Sequence, residues 1–165
     1  MADAVRAISE FRGVQRRMEI VAEAAGITVL DDFGHHPTAI RATIEAVKAR
    51  YPRRRVCALF EPRSNTTRRS VFQDALPEAL ATADLIYISQ VARLEQLPPH
   101  ERLDPEKVVS HIHRLGKQAY YRPDAAAIVD DLRKELKKGD VVLILSNGGF
   151  DGMRFKLKNM IEALQ

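Results

Sequence analysis

Three stretches of the sequence gather residue types that could do chemistry: Asp31-Asp32-Phe33-Gly34-His35-His36-Pro37, Glu61-Pro62-Arg63-Ser64-Asn65-Thr66-Thr67-Arg68-Arg69 and Ser146-Asn147-Gly148-Gly149-Phe150-Asp151-Gly152. In the first, two carboxylates beside two imidazoles could hold a metal, move a proton, meet a nucleotide or simply begin a helix. Neighbouring side chains on extended backbone point to opposite sides, and no third ligand follows at a recognisable spacing, so no metal site is assigned to His35 and His36. Proton transfer by a histidine stays open. The simplest physical account puts His36 at a helix cap with Pro37 in the first helical position, framing the positive helix end while Asp32 faces a hydroxyl or a cation.

The second stretch sets Arg63, Arg68 and Arg69 beside Ser64, Asn65, Thr66 and Thr67, a mixture suited to bidentate capture of carboxylates; a basic surface loop is the equally simple reading. In the third, Gly148 and Gly149 would let backbone N–H groups approach an anion, although the pattern is not G-x-G-x-x-G and a plain tight turn explains it as well. The P-loop pattern G-x-x-x-x-G-K-[ST] is absent, so any ATP must be held elsewhere. G-x-S-x-G and H-E-x-x-H are absent too, which leaves hydrolase templates without a foothold. Cys57, the only cysteine, excludes an internal disulfide and sits in the apolar run VCALF as a buried structural thiol. His111 and His113 fall on an ordinary helix as surface residues.

These motifs need a scaffold, and the apolar pattern supplies one. A short helical stretch at about residues 3 to 10 precedes two extended segments joined at Ala25-Gly26, read as a hairpin. Ile40, Ile44, Val47 and Tyr51 then mark one face of a helix that begins at Pro37. Strand-length apolar runs follow at residues 55 to 60, 84 to 89 and 141 to 146, with a shorter strand at QAYY. Between them lie helical segments. VFQDALPEALATA carries Pro77, expected to break or kink it; another helix opens at Asp104-Pro105-Glu106 and ends at Gly116; a third opens at Asp124 and closes at Gly139. MRFKLKNMIEAL is a terminal amphipathic helix. Alternation of this kind predicts an α/β, Rossmann-like three-layer domain: a mostly parallel sheet, helices on both faces and an N-terminal β-hairpin. Ligands collect beyond the carboxyl ends of such strands, and all three polar motifs follow predicted strands.

Composition agrees with one soluble domain: 165 residues, 45% hydrophobic and 29% charged, without a low-complexity tract. The net charge of +4 invites a nucleic-acid reading, yet aromatic residues are few and are not interleaved with the basic clusters, so no nucleic acid is expected; a small anionic substrate accounts for the excess equally well. The run Arg53-Arg54-Arg55 is expected to be a solvated loop. No membrane span and no signal-length apolar run stand out, which points to the cytoplasm and to no membrane partner.

Taken together, GVQRRMEIV, DDFGHHPTAI, FEPRSNTTR and LSNGGFDG resemble the C-terminal domain of the Mur ligases, ATP-dependent amide-forming enzymes of peptidoglycan synthesis, from about Phe11 onward. Within the family the pattern is similar to the branch acting on UDP-N-acetylmuramate, and EPRSNT with SNGGF resembles the members that join the recycled murein tripeptide L-alanyl-γ-D-glutamyl-meso-diaminopimelate to it. The alanine-adding ligase is the alternative, and a non-catalytic α/β ligand-binding module a third reading. The resemblance implies phosphorylation of the muramate carboxylate by ATP, then attack of the incoming amine on that acyl phosphate. It also implies that ATP and Mg2+ are held mainly by a central domain absent from this chain, that a further absent N-terminal domain binds the UDP sugar, that residues 1–12 are the linker from the central domain, and that residues 13–165 form the C-terminal domain. Residue by residue it implies that Arg17 reaches the ATP phosphates, that Asp32 approaches the nucleotide ribose, and that His35 and His36 line the reaction centre. Arg63 would take a peptide carboxylate with Ser64, Asn65 and Thr66 nearby, and Asn147, Gly148 and Gly149 would form another wall. Asp151 departs from the glycine of the family pattern and adds a negative charge near that wall.

Overall fold

A computed structural model describes residues 15–164. The helix expected at about residues 3 to 10 and the linker over 1–12 lie outside the described residues. The hairpin is present: β1 (Glu19–Ala24) pairs antiparallel with β2 (Ile27–Asp32), with a bulge between Ile20 and Ala22. Its two-residue turn, Ala25-Gly26, has positive φ at both positions (52° and 76°), the combination that matches the strands' twist.

From β2 onward all neighbours are parallel. Strands β3 (Val56–Phe60), β4 (Leu85–Ser89), β5 (Gln118–Arg122) and β6 (Val141–Leu145) complete a six-stranded sheet in the order β1-β2-β6-β3-β4-β5. The helices are α1 (Pro37–Arg50), α2 (Ala75–Leu80), α3 (Pro105–Arg114), α4 (Ala125–Glu135) and α5 (Met153–Glu162). Strand side chains alternate between two cores. Val56, Ala58, Phe60, Ile86, Ile88 and Leu143 pack with Ile40, Leu80 and Ile112 of α1, α2 and α3. Cys57, Leu59, Leu85, Tyr87, Val142 and Ile144 pack with Ile128 of α4 and Leu157 of α5. The three-layer α/β architecture is thus as the sequence predicts. The helix layers also follow from chirality: connections moving toward β5 lie on one face, and the return from β5 to β6 must lie on the other if every crossover is right-handed.

Three local expectations change. VFQDALPEALATA is not one helix interrupted at Pro77. A 3-10 turn occupies Ser70–Phe72 and α2 starts at Ala75, so Pro77 lies in the first turn, where its missing N–H costs no hydrogen bond. Helix α4 stops at Glu135, with Leu136 extended, four residues before Gly139. The Arg53-Arg54-Arg55 run is not merely solvated. Arg55 bridges Glu135 and Asp140 at 2.7 Å each, and Arg54 donates to the carbonyls of Gly139 and Asp140 (2.6 and 2.8 Å). These two cations tie the amino-terminal ends of β3 and β6 together, which a sequence reading limited to local charge does not reveal. Cys57 is buried, and burial pushes its thiol up to about 12.

Candidate functional site

Insertion of β6 between β2 and β3 decides where the polar motifs meet. Asp32 pairs with Leu145, and Leu145 with Phe60, so the ends of three adjacent strands lie level. The ladder runs one step further, with Ser146 N–H donating to Asp32 O (3.2 Å) and Glu61 N–H to Leu145 O (3.1 Å). Beyond β2 and β3 the chain departs toward α1 and α2 on one face; beyond β6 it departs toward α5 on the other. The crevice such divergence opens is where open α/β sheets bind ligands.

On the β2 side, Asp32 is buried and its carboxylate joins three segments: the one ahead of β1, the loop after β2 and α1. It accepts from the N–H groups of Met18 (2.9 Å) and Gly34 (2.7 Å) and from the hydroxyl of Thr43 (3.4 Å). Arg17 stands 4.0 Å from Asp32 with its side chain 58% exposed, its guanidinium 6.0 Å from the Phe33 ring centroid. Asp32 therefore anchors the loop that presents Arg17. His36 is the N-cap of α1, as expected, its Nδ1 accepting from Thr38 N–H at 3.3 Å, with Pro37 following in the first turn. The two histidines do not form one site. His36 packs edge-on against Phe72 (4.8 Å between centroids), whereas His35 packs against Phe33 (5.6 Å) and its Nδ1 lies 3.1 Å from Phe33 O.

On the β3 and β6 side, Arg63 lies across Gly148: a Cβ built there would stand 2.2 Å from Arg63 Cδ. This close approach, rather than a backbone N–H aimed outward, is what the glycine provides, because Gly148 N–H donates inward to Ser146 Oγ (2.9 Å). Gly149 is exposed, with open space where its Cβ would be. Asn147 turns its Oδ1 into a buried position without a hydrogen-bond partner among the described residues. The 61–69 loop is ordered by its own polar atoms: Ser64 Oγ lies 2.7 Å from Thr67 Oγ1 and 3.2 Å from Thr66 Oγ1, while Asn65 Oδ1 accepts from Arg68 Nη2 at 2.9 Å.

Sequence reasoning did not foresee the buried frame beneath these residues. Glu61, 6% exposed, accepts from Ser146 Oγ at 2.5 Å and faces Arg63 Nη1 at 3.4 Å, which welds the β3 and β6 motifs together. Arg68 is buried and spans to Arg93 O at 2.9 Å, holding the 61–69 loop to the chain after β4. Among the described residues no carboxylate forms an ion pair with it, and desolvation with neighbouring Arg93 lowers its pKa. Glu61 also lines a cavity of about 350 Å³ with Ser89, Arg93, Asp124, Phe150 and Asp151. The site can therefore offer one exposed cation on the β2 side, and a second cation over a polar, hydrogen-bonded loop on the β3 and β6 side. Among the described residues no three His, Cys, Asp or Glu side chains are grouped to hold a metal, and no helix is long and apolar enough to cross a membrane.

Comparison with known proteins bears on this arrangement. Residues 16–148 match the family described as Mur ligase, glutamate ligase domain. The chain is 36% identical over 157 residues to the UDP-N-acetylmuramate–L-alanyl-γ-D-glutamyl-meso-2,6-diaminoheptandioate ligase of Escherichia coli K12, a match that covers 94% of this chain and 32% of that protein. It is likewise 36% identical over 146 residues to the UDP-N-acetylmuramate–L-alanine ligase of Chloroflexus aggregans, covering 86% of this chain and 30% of that one. Among solved structures, a murein peptide ligase from Psychrobacter arcticus superposes with a TM-score of 0.79 at 31% identity, over 96% of this chain and 32% of that one. The chain thus spans about a third of the length of the relatives it matches.

Proposed function

We propose, on the premise that this chain belongs to the Mur ligase family as its C-terminal domain, that it is the amine-substrate domain of an ATP-dependent amide ligase. That ligase joins the murein tripeptide L-alanyl-γ-D-glutamyl-meso-diaminopimelate to UDP-N-acetylmuramate in the cytoplasm. Residues 1–12 would be the link from a central domain, which with the N-terminal domain would hold ATP, magnesium and the UDP sugar, and residues 13–165 the closing domain. ATP supplies the phosphoryl group that activates the muramate carboxylate; what this chain contributes is position and charge.

The observation that carries the reading is the meeting of the three motifs at the ends of β2, β6 and β3, with Arg63 lying over Gly148. Arg17 suits the ATP phosphates, since an exposed guanidinium with a single 4.0 Å partner can swing to an anion without breaking a buried pair. Asp32 suits a ribose hydroxyl less directly: its carboxylate already accepts from the segment ahead of β1, from the loop after β2 and from α1, so we assign it first the holding of Arg17 and second any ribose contact. His35 is the better placed histidine for the reaction centre, because His36 is committed to capping α1. Arg63 is assigned the tripeptide carboxylate, with Ser64, Asn65, Thr66 and Asn147 ordering its surroundings and Gly149 leaving that edge open.

The alanine-adding reaction is the second reading, favoured by the equal identity to the Chloroflexus relative over a shorter span. In the complete ligase, Arg63→Ala should raise KM for the tripeptide about 10- to 100-fold, the loss of one charge-assisted carboxylate contact. Unimpaired tripeptide use by the variant would remove Arg63 from this role.

A further inference from the structure

We infer that Asp31, Arg16 and Arg154 form a clamp that positions the two halves of the site relative to each other, by holding the segment that carries Arg17 against the turn over which Arg63 lies. Asp31 is fully buried, and its Oδ2 takes two guanidinium groups, Nε of Arg16 at 2.9 Å and Nη1 of Arg154 at 3.1 Å. A buried carboxylate demands one cation; two is more than neutralisation needs. The two come from far apart in the chain, Arg16 just ahead of β1 and Arg154 in the first turn of α5.

Each arginine then reaches a second anchor. Arg16 Nη2 donates to the carbonyl of Ser146, where the 146–152 turn begins, at 2.5 Å. Arg154 Nη2 donates to Glu19 Oε1 at 2.8 Å, and the other oxygen of Glu19 accepts from Arg16 N–H at 2.9 Å. The result is a closed ring of four residues around the leading segment, three of its links between side chains and the fourth through the Arg16 backbone N–H. Within that segment Arg16 and Met18 hold left-handed backbone (φ 56° and 48°), a conformation non-glycine residues keep only where surroundings over-determine it. The ring, with Phe33 N–H donating to Arg16 O (2.8 Å) and Met18 N–H to Asp32, supplies that determination. Arg17 lies between the two strained residues, so its neighbours set where its side chain leaves the backbone, while the exposed guanidinium beyond stays free to turn. Neither Asp31 nor Arg154 is assigned a ligand; both are positioning residues. The inference rests on the proposed function only for what Arg17 and Arg63 hold, since the coupling itself belongs to this chain.

The test is Arg154→Met, which keeps the helical stem and removes the charge, with Arg154→Lys as the conservative variant. Amide hydrogen exchange of this chain should quicken about tenfold at both Arg16–Met18 and Gly148 in Arg154→Met, with α1 and α3 unchanged and Arg154→Lys intermediate. Acceleration in only one of those segments, or spread evenly over the fold, would overturn the clamp. In the complete ligase, Arg154→Met should lower kcat about tenfold and leave KM for the UDP sugar unchanged, the signature of misplaced rather than lost contacts. An unchanged kcat would overturn its positioning role in the reaction. Absence of ligation by the unsubstituted protein would instead overturn the proposed function, while the exchange result would still decide the coupling.

Discussion

Gly148 is the residue at which the proposed substrate edge can be perturbed without touching a charge. Its φ is not in the left-handed region, so alanine suits the backbone, but the new methyl would meet Arg63 at Cδ and Nε (2.2 and 2.4 Å) and force that side chain aside. Gly148→Ala should therefore reproduce the catalytic defect of Arg63→Ala while changing unfolding free energy by less than about 1 kcal/mol, as surface substitutions do. Steady-state kinetics paired with denaturant unfolding checks it. Normal tripeptide KM in this variant would mean that the placement of Arg63 is unimportant. The resemblance drew attention to Arg63, Asn147 and Gly148 from sequence. It left Glu61, Ser146 and Arg68 unassigned, because a carboxylate, a hydroxyl and a guanidinium inside polar motifs look exposed until the strand order buries them.

Among the elements, the caps and edges carry separable stabilities. Asp104 opens α3 by accepting from the N–H groups of Glu106 and Lys107, both at 3.1 Å, and these contacts help to hold its carboxyl below the usual range against the opposing effect of burial. Asp104→Ala should cost about 1 kcal/mol in equilibrium unfolding, the typical value of an N-cap; a cost near zero would show that Pro105 alone fixes this start. Glu19 links β1 to α5, and the Arg16 N–H, with Arg154 second, pulls its pKa below the ordinary 4.5. A lowered folded value means that its contribution is complete above about pH 4.5 and is lost as pH falls through that lower value. Glu19→Gln should accordingly flatten part of the decline of the unfolding midpoint below pH 4.5, to which Asp84 and Asp104, whose pKa values are also lowered, contribute as well. An undiminished slope would contradict the assignment. The elements themselves were largely legible in the sequence, since buried strands such as VCALF and VVLIL and the Asp104 and Asp124 caps carry strong local signals. The Arg54 and Arg55 ties were not, because they join residues about 85 positions apart at the starts of β3 and β6, and neither was the 3-10 turn before Pro77, which is followed by Gln73 bonding to the backbone of Asp104, 31 residues on.

At the scale of the whole molecule, strand order is what turns three motifs separated in sequence into one edge. Alternating strands and helices predict a parallel sheet, but they do not say that the last strand slips between β2 and β3, and only that placement puts Asp32, Glu61 and Ser146 side by side. The family resemblance supplied this indirectly; physical pattern alone stops at a sheet with polar strand ends. The edge has cations and ordered loops but no P-loop, and the chain covers a third of its relatives' length. Both facts fit a domain that completes a site built largely by others. The most direct measurement of that account offers the complete ligase, with ATP, magnesium and UDP-N-acetylmuramate, an equimolar mixture of the tripeptide and free L-alanine, and identifies the products by mass. The account predicts the UDP-N-acetylmuramoyl tripeptide as the dominant product, whereas UDP-N-acetylmuramoyl-L-alanine in its place would contradict it.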